Sequence, residues 1–289
     1  MQKILVTGGA GHLGHLVVKH LSAAGYSVRG MSRRASPGAD WAGAEWKQAD
    51  LRTGAGVAEA VAGMDVVVHL AAAGNSMVDF EGTRRVLDAA REAHVSHVVL
   101  ISIVGIDRVP WSGGKAKLAS EDLLARSGIP WSTIRATQFH YAIDFVLRFL
   151  TRLPLVALVP TDFPLQPVDE EEVAERLCEI VQAGPLGRLP DMGGPEVYTS
   201  GELARIWLKQ RGMRRAIIPL WLPGKTARAL RQGGNICPEQ ATGRVSWEAW
   251  LQQHYNSQRL AGNSRGGSVG QPAGRETGRA KMEVGTENP

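Results

Sequence analysis

The first fourteen residues restrict what this chain can fold into more than any others. Lys3-Ile4-Leu5-Val6 is a short apolar run that predicts a buried strand. Thr7-Gly8-Gly9-Ala10-Gly11-His12-Leu13-Gly14 follows, and Leu16, Val17, Val18 and Leu21 then recur at helical spacing. Strand, glycine turn and helix in direct succession form the setting in which a glycine pattern signals a dinucleotide. Gly8 and Gly9 let the backbone turn tightly off the strand, and Gly11 lets the main chain approach a pyrophosphate. Gly14 lets the helix pack closely on the sheet, and the helix N-terminus offers N–H groups to phosphate. Thr7, Gly8, Gly9, Gly11, His12, Leu13 and Gly14 are therefore assigned to cofactor binding; a plain tight turn is the alternative.

The alternation continues. Residues 26–31, 65–70, 97–101 and 131–135 read as strands, two of them near-continuous apolar runs of the kind covered on both faces in parallel sheets. Residues 82–93 and 115–126 read as helices between them. This rhythm predicts an α/β fold, a Rossmann-type doubly wound parallel sheet with a small α+β C-terminal part that serves as lid and substrate site. The expected organisation is a dinucleotide-binding core over 1–139, a lid and substrate part over 140–256 packed on it, and a Gly-, Arg- and Ser-rich tail over 257–289. That tail has too few apolar residues to order itself. In the C-terminal part, 141–152, 170–183, a segment N-capped by Ser200, and 247–255 are the expected helices.

Composition excludes several classes. With 44% hydrophobic and 21% charged residues the 289-residue chain reads as globular. The net charge of +5 includes five basic and three acidic residues beyond residue 256, and the remainder is too little to suggest nucleic acid. Cys178 and Cys237 have neither metal-ligand spacing nor a disulfide framework, so no metal is expected and a reducing, cytoplasmic setting is. Arg148, Arg152 and Pro154 interrupt the most apolar stretch, so no membrane partner is expected.

Further motifs carry a family resemblance: His69-Leu70-Ala71-Ala72 closing a strand, Glu81-Gly82-Thr83 in a helix that runs to Asp88-Ala89-Ala90, Val98 through Asp107, Pro130 through His140, Gly193-Gly194-Pro195-Glu196, and Leu222-Pro223-Gly224-Lys225. With the glycine turn, they make residues 1–255 resemble the atypical short-chain dehydrogenase/reductases, specifically their NmrA-like NAD(P)H-binding branch. The resemblance implies a serine after a central strand and a Tyr-x-x-x-Lys on the next helix as the catalytic set. Ser102 matches the serine and Lys117 the lysine, but Gly113 stands where the tyrosine belongs. Pairing Trp111 with Lys115 keeps the spacing and still supplies no phenol.

Two functions follow from that departure. One is a reductase whose small, aromatic or quinone-like acceptor needs little proton donation from the protein. The other is a non-catalytic redox sensor that binds NAD(P) and acts through a protein partner. His140, just past a strand at the carboxyl edge of the sheet, is a candidate substitute proton donor, with Tyr141 behind it. The loop after the second strand reads Ser32-Arg33-Arg34, with no carboxylate before Asp40. A guanidinium pairs with a 2′-phosphate that a carboxylate would repel, so Arg33 and Arg34 point to NADP(H) over NAD(H), with NAD(H) possible. The resemblance also places Asp50 and Leu51 beside the adenine, Ala71 and Ala72 under the cofactor, and Lys117 on the nicotinamide ribose.

Overall fold

Near-continuous apolar runs such as Val66-Val67-Val68 and Val98-Val99-Leu100-Ile101 have no polar face to offer water, so they pair side by side and are covered above and below. The computed structural model describes residues 1–38, 41, 43–71, 76–111 and 113–255. The first half runs β1 (Lys3–Thr7), α1 (His12–Ala23), β2 (Ser27–Ser32), β3 (Glu45–Gln48), α2 (Val57–Val61), β4 (Val66–His69), α3 (Ser76–Glu92), β5 (His97–Ile103), α4 (Gly114–Ala125) and β6 (Trp131–Ala136). The second half runs α5 (His140–Leu150), β7 (Val156–Val159), β8 (Pro164–Leu165), α6 (Glu170–Ala183) and β9 (Gly187–Arg188). It ends with β10 (Tyr198–Thr199), α7 (Ser200–Gln210), β11 (Ala216–Pro219), α8 (Lys225–Arg231) and a helical segment over 247–255.

Seven strands form one sheet in the order β3-β2-β1-β4-β5-β6-β9, every pair parallel. The chain winds outward from β1 in one direction and from β4 in the other, so the crevice between them opens at the carboxyl ends of the strands. The two-residue period of the strands sorts their side chains into two cores. Ile4, Val6, Val66, Val68, Val99 and Ile101 meet α1 and α6 on one face. Leu5, Val67, Val98 and Leu100 meet α2, α3 and α4 on the other.

The sequence reading gives the central strands and helices but not the small ones. β3 and α2 have weak patterns, and β7 to β11 are two to four residues long, too short for a period to show. The helix expected from Ser200 is capped instead by Thr199, which makes a capping box with Glu202. Residues Met1–Gln252 form one compact unit and Gln253–Pro289 a second, of which only 253–255, helical, are described. Residues on both sides of Phe139 lie in the first unit, where β9 joins the main sheet and α6 packs on α1. The tail over 257–289 lies outside the described residues. Trp207 and Trp247 are core, whereas Trp221 is exposed. No helix among the described residues is long and apolar enough to cross a membrane.

Candidate functional site

The glycine turn closes the first crossover. Gly8 adopts φ +72°, and a Cβ on it would meet the Ala71 backbone at 3.0 Å, so the end of β1 lies hard against the end of β4. At Gly14 a Cβ would stand 2.2 Å from the Gly8 carbonyl oxygen, which only glycine avoids. No side chain caps α1 and no acidic residue stands in its first turn. The N–H groups of His12, Leu13 and Gly14 thus have no carbonyl within the helix and face the crevice end, a cradle suited to a pyrophosphate. Leu13 contributes only that N–H, because its side chain is core.

Thr7 does something other than contact a cofactor. It is fully buried, and its hydroxyl oxygen accepts from the Leu70 and Ala71 amides at 3.1 and 3.2 Å. Its proton is therefore directed to His69 Nδ1 at 2.8 Å. His69 Nε2–H then donates to Thr83 Oγ1 at 3.1 Å, and Thr83 donates to the Asp79 carbonyl at 2.9 Å. The relay needs neutral imidazole, and burial together with the nearby Lys117 charge pulls His69 down to about 3. Through its side chain, Thr7 thus ties the glycine turn to β4 and α3.

Lys117 lies one helical turn beyond Gly113, its amide donating to the Gly113 carbonyl at 3.3 Å. Burial lowers its pKa, while the charges of Asp79 and Glu121 pull it back up. Glu121 is held in turn by Arg135, whose Nε and Nη2 reach it at 3.0 and 2.7 Å, and Arg135 Nη1 also reaches Asp107 at 2.9 Å. Ser102, at the carboxyl end of β5, is buried, and its hydroxyl has no hydrogen-bond partner among the described residues. Gly113 is exposed, has φ −85° and ψ −16°, and among the described residues nothing lies within 4 Å of where a Cβ would be. A side chain could leave the backbone there without meeting a described residue at its Cβ.

His140, the candidate proton donor, is shut away from solvent. Its ring is fully buried and stacked on Trp247 and Trp250 at 5.7 and 5.6 Å, and burial pulls its pKa down to about 3. Its neighbours are the carboxylates of Asp169 and Glu170, with one donor atom from each of the three residues lying within 4.8 Å of the others. Tyr141 is the residue that turns toward the glycine loop, stacking on His12 at 4.7 Å. Burial and the Glu170 charge raise its pKa.

Arg33 and Arg34 are exposed, and neither guanidinium has a carboxylate partner among the described residues. Their carbonyls accept from Gln48 and Trp46, which fixes the loop that carries them. Asp50 Oδ1 accepts from the Arg52 amide at 2.8 Å, and Leu51 packs on Gly82 of α3. Ala72 lies outside the described residues. Trp41, unnoticed in the sequence, lies over Gly9 and Gly30 and meets Trp46 edge-on at 4.8 Å. Glycine at both 9 and 30 was the one signal that something large sits there.

Comparison with known proteins places this geometry. The model of the NAD(P)H-binding family matches residues 8–144. The photosystem II assembly factor Ycf39 of Trieres chinensis is 25% identical over 236 residues, 76% of this chain and 73% of that one. Among solved structures, the Escherichia coli NADPH-dependent quinone oxidoreductase QOR2 complexed with NADPH superposes with a TM-score of 0.75 at 19% identity, covering 88% of this chain and 100% of that one. The Citrobacter sp. triphenylmethane reductase complexed with NADP(H) gives 0.66 at 19% identity, covering 87% and 94%. These structural likenesses show a Rossmann-type fold.

Proposed function

We propose, from the match of residues 8–144 to the model of the NAD(P)H-binding family, that the protein is an NADP(H)-dependent oxidoreductase that reduces a small quinone-like or cationic aromatic acceptor without a catalytic tyrosine. The observation that carries the reading is the lack of a side chain at Gly113, one turn before Lys117, in a site whose glycine cradle is otherwise complete. When bound, the reduced nicotinamide supplies the hydride. The amides of His12, Leu13 and Gly14 hold the pyrophosphate, and Arg33 with Arg34 takes the 2′-phosphate. Lys117 would orient the nicotinamide ribose, and the Ser102 hydroxyl, unpartnered among the described residues, would hydrogen-bond an acceptor oxygen.

With no phenol at position 113, the protein has no acid there for the alkoxide that a plain ketone would form. A quinone or triarylmethyl cation spreads or cancels the arriving charge and needs none. The names of two structural neighbours, a quinone oxidoreductase and a triphenylmethane reductase, support that acceptor class. The substrate is a small molecule, and a soluble cytoplasmic setting fits such chemistry.

The test follows NADPH absorbance in the presence of quinones, triarylmethyl dyes, aldehydes and ketones. Quinones or dyes should be consumed above the uncatalysed rate, and plain carbonyls should not. A second reading, a nucleotide-binding regulator with a protein partner, is favoured by the same missing phenol and by a relative named as an assembly factor. Tight NADPH binding with no acceptor consumed would select it.

A further inference from the structure

Helix α5 breaks the rule that a surface helix turns its apolar residues inward. Its inner face buries Ile143, Asp144 and Leu147. Its outer face carries Phe145, Val146 and Phe149, spaced i, i+1 and i+4, and all three are exposed, Phe145 to 72%. A helix that is apolar on both faces belongs inside a protein or against lipid. The exposed run continues through Leu153 and Leu155 into β7.

β11 pairs in parallel with β7 and sets Ile218 beside Leu158, two exposed apolar residues in register on one face of the ribbon. Arg215 fastens the start of β11 to the α5–β7 connection by donating to the Leu153 carbonyl at 2.7 Å. Leu220 and Trp221 extend the surface, with Trp221 exposed to 70% and held under the Arg231 guanidinium at 5.3 Å. Nine of the large exposed apolar residues thus fall in two segments that the β7–β11 pairing joins. Ordinary monomers do not gather them this way.

The charge of the same two segments says what covers them. Residues 145–161 and 211–238 contain eight basic residues and no acidic one, whereas the rest of the chain, with 25 basic and 28 acidic residues, is net negative. Arg152, Arg214, Arg215, Lys225 and Arg228 have no carboxylate partner among the described residues. We infer that this face of α5, β7 and β11 is a docking surface for the anionic headgroups and upper acyl chains of a phospholipid bilayer. Exposed Phe, Leu and Trp side chains ringed by Arg and Lys are the chemistry of interfacial binding, in which a protein lies on the membrane without spanning it. The earlier expectation of no membrane partner rested on spanning alone. A second copy fits poorly, because an isologous contact would set Arg152, Arg214, Arg215, Lys225 and Arg228 against the same five residues of its mate. The surface also borders the site: Tyr141 in the first turn of α5 stacks on His12 at the glycine turn, and Thr226 donates to the Pro110 carbonyl just ahead of α4 at 2.8 Å. A lipid-dissolved acceptor would thus be close at hand.

The experiment is vesicle co-sedimentation of the full chain, without cofactor or acceptor, so its result is independent of the proposed reductase. Vesicles of phosphatidylcholine alone are compared with vesicles that also contain phosphatidylglycerol, at low and high salt. The full chain should pellet with the anionic vesicles and be released by salt. The exposed substitutions Phe145→Ser with Phe149→Ser, and separately Arg214→Glu with Arg228→Glu, should each lower the bound fraction about tenfold or more with unchanged circular dichroism. Failure to bind anionic vesicles would overturn the inference and leave an acidic protein partner as the occupant. So would a dimer in light scattering that Phe145→Ser with Phe149→Ser dissociates.

Discussion

At Gly113 the backbone sits at φ −85° and ψ −16°, which any residue adopts, and no described residue lies within 4 Å of where a Cβ would be. Gly113 lies in the αR region as the N-cap of α4, so its backbone does not itself demand glycine. Gly113→Tyr is expected to introduce weak reduction of aromatic aldehydes, because the new phenol stands one turn before Lys117. NADPH oxidation with aldehyde measures it, and an unchanged rate in a folded variant would mean that the ring points away from the acceptor. Arg33 supports a second expectation. Charge-assisted hydrogen bonds are worth roughly 1.5–3 kcal/mol each, so NADPH should bind about tenfold or more tightly than NADH. Arg33→Asp should shrink or invert that gap in a fluorescence titration; equal affinities in the unaltered protein would remove the role given to Arg33.

Between elements, the pair of Arg135 on β6 and Glu121 on α4 matters most for the site, since Glu121 faces the Lys117 charge. Both side chains are about nine-tenths buried. Arg135→Met would leave Glu121 without its partner in low dielectric, at a cost of about 3 kcal/mol or more. Urea unfolding should show that loss, and replacing both residues, Arg135→Met with Glu121→Leu, should restore much of it. If the double variant is no better than the single one, the coupling is not between these two. The same scale explains what pattern reading overlooked. Arg135 looked like one more residue of a strand, and only the packing of α4 across β6 reveals its partner.

Across the molecule, three buried histidines set the response to acid. His69, His97 and His140 are pulled down to about 3, about 4 and about 3 by burial. The unfolded chain takes up their protons below about pH 6.5, while the folded one resists until those lower values, so stability is lost as pH falls. Glu170 acts oppositely. Burial pushes it up to about 7, so the folded state keeps a proton that the unfolded chain releases above about pH 4.5, and its contribution grows as pH drops from 7. At pH 5 the histidines together cost roughly 6 kcal/mol and Glu170 returns roughly 2–3. The Tm should therefore fall by about 10 °C between pH 7 and pH 5. A flat or rising Tm would show that these rings are not held neutral. His69→Gln should flatten part of the slope.

Periodicity and turn chemistry were enough to determine the strand–glycine turn–helix opening, the parallel sheet and the glycine cradle, because each depends on neighbours within a few residues. Gly14 is the clearest case: the demand for no side chain comes from a turn six residues away. Burial and long-range contact were not legible in the same way. Thr7 and His140 have the residue types of site groups, and their positions next to motif residues suggested such roles. Tertiary packing gave Thr7 to a relay with His69, 62 residues on, and sealed His140 beneath two tryptophans more than a hundred residues away. A hydroxyl or imidazole acts according to its partners and its access to water, and those are properties of the folded chain.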